Sequence, residues 1–250
     1  MPGDRGYGKA THHMEPAEYE LMDAVEDHMW WYRALHRRLL DALGGAHGSV
    51  LDAGCGTGGL LARMREERPD LRRVGLEWTD RSARRAAEKS GTPVVRGSVN
   101  ALPFADASFY AAIAADVLCH RAVDPARALA ELRRVLRPTG RLIVNMPAYD
   151  WLLSGHDRLV HNARRCSARQ LTALLRETGF AGVRVRYWNG LLLPLMVVQR
   201  KLLARNSAAS DVASFPPWLD AMLHGMTEIE RRLPFDFPAG GSVLAVAERP

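Results

Sequence analysis

The sequence predicts a doubly wound α/β fold, a mostly parallel sheet with helices on both faces. Three observations predict it. Short apolar runs alternate with helical patterns from Val50 to Asn145, the rhythm of parallel strands joined by crossover helices. The run Phe109 to Ala115 is apolar almost throughout, as a strand covered on both faces should be. Val50-Leu51-Asp52 then passes into Ala53-Gly54-Cys55-Gly56-Thr57-Gly58-Gly59, a strand running into a glycine-rich turn that opens a helix near Leu60. Such a turn lets a ligand approach the main chain. Taken alone, it would serve a dinucleotide phosphate, a mononucleotide phosphate or a nucleoside.

The elements follow in order. Leu21, Met22, Val25, Met29, Leu35, Leu39 and Leu40 recur at helical spacing between Pro16 and Leu43, with a break around His28 to Trp30. The aromatic cluster Trp30, Trp31 and Tyr32 in that segment either packs onto the sheet, or Trp31, Tyr32 or Arg33 roofs a ligand held by the glycine turn. The helix after the turn stops at Pro69. Arg73 to Glu77 is a second strand, and Asp80 to Ser90 a helix with Asp80 as its N-cap. Pro93 to Arg96 and Phe109 to Ala115 are the third and fourth strands. A helix runs from Asp124 to Leu136, and Pro138-Thr139-Gly140 turns the chain into a fifth strand, Arg141 to Asn145. Beyond an irregular stretch from Ala148 to Cys166, Ser167 and Gln170 are spaced as a capping box for a helix ending near Gly179. Val183 to Tyr187 alternates as a half-exposed strand. Leu191 to Ala204 reads as an apolar helix, Asn206 to Ser214 as a polar connection, Trp218 to Leu233 as an amphipathic helix, and Ser242 to Ala247 as the last strand. Residues 1–14 form a polar tail. Residues 15–250 form one domain, with a helical cap over 15–45 and a lid insertion over about 189–235.

Composition narrows the function. The chain has a formal charge of +6, yet only three lysines against 31 arginines, and the arginines are spread through most helices. A nucleic-acid groove needs a concentrated basic patch, so no nucleic-acid partner is expected. Cys55, Cys119 and Cys166 have neither zinc spacing nor a disulfide pattern, so no metal is expected and a cytoplasmic location is the economical reading. The longest apolar run, Leu191 to Val198, is far shorter than the roughly 20 residues of a membrane span.

The chemistry centres on carboxylates. The first strand ends in Asp52 and the second in Glu77, placed to accept hydrogen bonds from ribose hydroxyls. Together with VLDAGCGTGG, the segments GSVNALPF and DVLCHRAVDPARALAELRRVLRPTGRLIV resemble the successive motifs of class I S-adenosylmethionine-dependent methyltransferases, in order, over roughly Trp30 to Phe180. That resemblance implies a Rossmann-like seven-stranded sheet in which only the last strand, near Ser242 to Val246, is antiparallel. It implies that Asp52 and Gly54 lie by the methionine moiety, that Gly56 lets the main chain approach the nucleoside, and that Glu77 takes the ribose hydroxyls. It places Trp78 against the adenine, Ser98 and Val99 in the segment beside it, and Asp116 near the transferred methyl. Ser98 stands where many family members carry Asp, a weaker acceptor toward the adenine amino group. The segment NMPAYDWLLSGHDRLVHNARRCSARQL is similar to that of a bacterial subgroup acting on small or lipid-like metabolites.

Methyl transfer from a sulfonium is a displacement that needs an aligned acceptor and, where the acceptor carries a proton, a base. His161, in the irregular loop, is the first candidate base and His120, after the fourth strand, the second, with His156 nearby. Asp157 could orient a histidine and Tyr149 could donate to the substrate. Asn145-Met146-Pro147-Ala148-Tyr149 invites comparison with the Asn-Pro-Pro-Tyr motif of base amine methyltransferases, but that motif belongs after the fourth strand, where this chain has Asp116-Val117-Leu118-Cys119. The expected function is methyl transfer to a small metabolite, lipophilic if the 191–204 helix lines the pocket; that helix could instead pack as a cover or touch a membrane surface. The rival functions are a cyclisation or rearrangement on the same fold, and a cofactor-binding module without catalysis.

Overall fold

The computed structural model describes residues 16–153, 157, 162–200 and 215–250. Seven strands form one sheet: β1 (Ser49–Ala53), β2 (Arg72–Glu77), β3 (Val94–Arg96), β4 (Phe109–Ala115), β5 (Leu136–Pro147), β6 (Ala181–Trp188) and β7 (Ser242–Glu248). Their order across the sheet is β3-β2-β1-β4-β5-β7-β6. Strands β1 to β5 pair in parallel, while β7 runs antiparallel to both β5 and β6. This is the expected Rossmann-like arrangement. The chain reverses direction across the sheet between β1 and β4, the switch point at which such sheets bind ligands beyond their carboxyl ends.

Eight described helices surround the sheet: α1 (Pro16–Val25), α2 (Trp30–Leu43), α3 (Gly59–Glu67), α4 (Asp80–Ser90), α5 (Pro125–Val135), α6 (Ala168–Glu177), α7 (Leu193–Val198) and α8 (Pro217–Arg232). The core lies in two layers. On one face Leu129, Leu132, Leu171 and Leu175 pack against β4, β5 and β7. On the other Leu39, Leu43, Leu61 and Met64 meet Val50, Ile113 and Ile143. Alternate residues of β4 serve the two layers, which is why the strand is apolar throughout.

Local chemistry sets the helix ends. Asp124 accepts from the amides of Ala126 and Arg127, with Pro125 in the first turn of α5. Ser167 and Gln170 form the full capping box of α6. Two expectations are corrected. Thr79, not Asp80, caps α4 by accepting from the Ser82 amide at 3.2 Å; Asp80 is the first helical residue, where its charge favours the helix dipole. The fifth strand also begins earlier, at Leu136, because the Pro138-Thr139-Gly140 turn is bonded to the other chain terminus: Thr139 N–H donates to the Arg249 carbonyl and Arg249 N–H to the Gly140 carbonyl. The break before Trp30 stands as expected, between α1 and α2. Of the expected 191–204 helix, Leu193–Val198 is helical; residues 1–14 and the connection at 206–214 lie outside the described residues.

Replacing Ile113, fully buried at the centre of β4, with alanine should lower the unfolding free energy by about 2–5 kcal/mol in urea denaturation. A loss below about 1 kcal/mol would contradict the central place given to this strand.

Candidate functional site

The carboxyl edge of the sheet opens into a cavity of about 390 Å3. Its floor is the turn after β1. The Gly54 and Cys55 amides both donate to the Leu76 carbonyl, at 2.8 and 3.0 Å, so the turn is fastened to β2. Gly54 has φ +96°, and a Cβ there would sit 2.4 Å from a Val117 methyl carbon; neither the conformation nor the space admits a side chain. Gly56, at φ +55°, would put a Cβ 3.0 Å from the end of Met22, which closes this side of the cavity.

Carboxylates converge on the floor. Glu77 is buried and accepts from the Gly56 amide at 3.1 Å and the Thr79 amide at 3.2 Å. Asp52 is 2% exposed, and its Oδ2 has no hydrogen-bond partner. Burial, reinforced by the Glu77 and Glu26 charges, pushes its carboxyl up to about 7. Asp116 follows β4 with φ +54°, a strained backbone for a residue with a side chain. Asn145 Nδ2 donates to its Oδ1 at 3.0 Å, while Asn145 Oδ1 accepts from Trp188 Nε1 at 2.8 Å. Burial raises the Asp116 carboxyl to about 7 in spite of the Asn145 hydrogen bond.

The cavity lining mixes apolar and polar side chains: Met29, Trp30, Trp31, Leu35, Met196 and Phe215 belong to it, as do His120, Asp157, Asn162, Arg165, Asn189 and Arg200. Trp31 stacks on Trp188 at 6.1 Å and meets Tyr32 edge-on at 5.0 Å. The aromatic cluster therefore both packs on the sheet and lines the cavity.

The methyltransferase domain family matches residues 51–144, from β1 through β5. An uncharacterised protein of a Streptomyces fradiae transposon is 32% identical over 248 residues, covering 87% of this chain and 70% of its own. An O-methyltransferase of Penicillium expansum is 30% identical over 192 residues, covering 72% of this chain and 67% of its own. The chain belongs to the S-adenosylmethionine-dependent methyltransferases. A solved member from Thermotoga maritima shares the methyltransferase's fold at a TM-score of 0.63 and 22% identity, covering 94% of this chain and 95% of the other.

The residues present in this methyltransferase fit S-adenosylmethionine. The cofactor carries a sulfonium, an ammonium and a ribose diol, and the floor offers a buried carboxylate oxygen without a partner, on Asp52, and a carboxylate held by two amides, on Glu77. Each residue the sequence proposed for the cofactor, Tyr32, Asp52, Gly54, Gly56, Glu77, Trp78, Ser98, Val99 and Asp116, lines the one cavity. Trp78 is 48% exposed at its rim. The Ser98 hydroxyl accepts from the Asn100 amide at 3.2 Å.

The residues proposed for catalysis separate. His120 lines the cavity. His161 and His156 lie outside the described residues. Asp157 is buried against Arg165, whose Nη2 lies 2.9 Å from both carboxylate oxygens, with Asn162 Nδ2 at 3.3 Å; among the described residues an arginine pair holds this carboxylate, and the histidines it was proposed to orient lie outside them. Tyr149, at φ +58°, is not among the described residues that line the cavity; its ring stacks on Trp151 and Tyr187, at 5.7 and 5.4 Å, which does not favour the proposed donor role. Sequence reasoning missed Glu26, Arg165 and Asn189. Glu26 carried one signal, a charged residue between Val25 and Met29 on an otherwise apolar helical face.

Because the folded Asp52 carboxyl titrates above its ordinary value, the native state keeps a proton that the unfolded chain has released between about pH 4 and 7, and stability falls as pH rises through that window. Unliganded Asp52→Asn should therefore melt above the wild type at about pH 8, with the advantage shrinking toward about pH 5. An equal difference at both pH values in scanning calorimetry would contradict the buried charge.

Proposed function

We propose that the methyltransferase transfers a methyl group to an oxygen of a small, largely apolar molecule. The observation that carries this reading is the lining of the cavity, which joins the buried carboxylates Asp52, Glu77 and Asp116 at the strand ends to apolar side chains that include Met29, Trp30, Trp31 and Phe215, packed together around Leu192 and Leu223. An apolar body with few polar atoms suits such walls. The O-methyltransferase name of the Penicillium expansum relative supports an oxygen acceptor.

Bound S-adenosylmethionine supplies a methyl group made electrophilic by its sulfonium charge. Asp52 and Glu77 would hold the ligand at the floor, through the unpartnered Oδ2 and the amide-held carboxylate. The apolar walls exclude water and orient the acceptor, which accounts for most of what a displacement requires. The acceptor oxygen must lose its proton as it attacks. His120, at the edge of the cavity beyond β4, is the proposed base among the described residues, and Asp116, whose carboxyl titrates near 7, stands beside the same space as its partner or substitute. His161, outside the described residues, remains a candidate.

The test is turnover with phenols, hydroquinones and aliphatic alcohols, followed by release of S-adenosylhomocysteine and the mass of the methylated product. Methylation confined to charged or fully polar acceptors would overturn the reading. With an active acceptor, His120→Gln should lower kcat by about 10²–10⁴ and leave S-adenosylhomocysteine affinity within about twofold. An unchanged kcat would remove His120 as the base.

A further inference from the structure

Lysine is rare in this chain, and Lys89 on α4 stands where three carboxylates meet. Its Nζ lies 2.7 Å from Glu26 Oε1, 2.9 Å from Asp27 Oδ2 and 3.2 Å from Asp23 Oδ1. An ammonium carries three donors around one point, which suits three acceptors better than the flat fork of a guanidinium. The Lys89 side chain is only 10% exposed. The remaining ion pairs between this segment and α4, Arg81 with Glu20 and Arg85 with Asp23, are more exposed and contribute less.

The residues gathered by Lys89 belong to the wall over the glycine turn. From residue 20 to residue 29, Glu26 alone is buried, so the described side chains at the end of α1 are seated by charge more than by apolar packing. Glu26 Oε1 also accepts from the Thr57 hydroxyl at 2.5 Å, which ties the end of α1 to the turn itself. Met22 and Glu26 both line the cavity beside Gly56 and Glu77.

We propose that Lys89 is a positioning residue for the cofactor: by drawing Asp23, Glu26 and Asp27 onto α4, it holds α1 closed over the glycine turn and sets Glu26 against the bound ligand. This rests on the assignment of the cavity floor to S-adenosylmethionine. Without the ammonium, Glu26 would be a buried carboxylate with no cation beside it, which is unfavourable enough to drive the side chain outward. The end of α1 would move with it, and the floor would open to solvent.

The test compares wild type, Lys89→Met and Lys89→Arg by calorimetric titration with S-adenosylhomocysteine and by hydrogen exchange of residues 16–27 in the unliganded protein. Lys89→Met should weaken binding by about tenfold or more and speed exchange in this segment, with little change in the exchange of β1 and β4. Lys89→Arg should recover only part of the affinity. In wild type the protection should persist at about 1 M NaCl, since a buried pair is screened weakly, and it should be lost there in Lys89→Met. Asp27→Asn, at an exposed position, should speed exchange by a smaller factor and serves if Lys89→Met does not fold. Unchanged α1 exchange in Lys89→Met and Asp27→Asn, or affinity of Lys89→Met within about twofold of wild type, would overturn the proposal. Failure of wild type to bind S-adenosylhomocysteine would instead strike at the cofactor assignment, with the exchange measurement still reading the seating of α1.

Discussion

Carboxylates buried at the carboxyl edge of an apolar sheet are the constraint on which the site depends. Asp52, Glu77 and Asp116 end β1, β2 and β4, three strands that are neighbours or near neighbours across the switch point. Burying them is costly, and the fold offsets the cost unequally. Glu77 has two backbone amides, Asp116 has Asn145, and Asp52 Oδ2 has nothing. The glycine turn exists around this arrangement: it is fastened to β2 and leaves the space over Asp52 open. On the proposed cofactor assignment, a ligand with a positive centre would complete what the protein leaves unsatisfied at Asp52 Oδ2.

The acceptor end is held by a second set of buried charges. Glu230 on α8 accepts from the amides of Asn189, Gly190 and Leu191, at 2.5, 2.7 and 3.0 Å, and so fixes the chain as it leaves β6 for α7. Arg38 of α2 lies 3.5 Å from Glu230 and 4.7 Å over the ring of Trp188. Trp188 in turn reaches Asn145, and Asn145 reaches Asp116. A continuous chain of contacts thus runs from the helices around the apolar chamber to the carboxylate at the end of β4, and the chamber and floor are parts of one assembly.

Much of this was legible in the sequence because it follows from local rules. The glycine turn, the acid ending the second strand, the capping box at Ser167 and the apolar β4 each show a pattern over a few residues. What was not legible depends on distant partners. Thr79 displaced Asp80 as the cap because its hydroxyl reaches the Ser82 amide. The start of β5 depended on Arg249, more than 100 residues away in sequence. The buried pair of Asp157 with Arg165, eight residues on, shows no local pattern. The stacking of Tyr149 on Tyr187 joins residues 38 positions apart and comes with a positive φ that its neighbours do not announce. Glu26 shows the same limit, since only the packing of α1 on α4 reveals that it reaches the turn.

If the floor awaits a positive centre, filling it must change the protonation of Asp52. At neutral pH the empty site holds this carboxyl partly protonated, with its pKa raised to about 7; a bound ammonium or sulfonium would favour the ionised form. The most direct measurement is calorimetric titration of S-adenosylmethionine into the protein at about pH 7 in two buffers of different ionisation enthalpy. The account predicts net proton release on binding, reduced in Asp52→Asn to what Asp116 alone contributes. Binding without proton exchange, or with proton uptake, would contradict it.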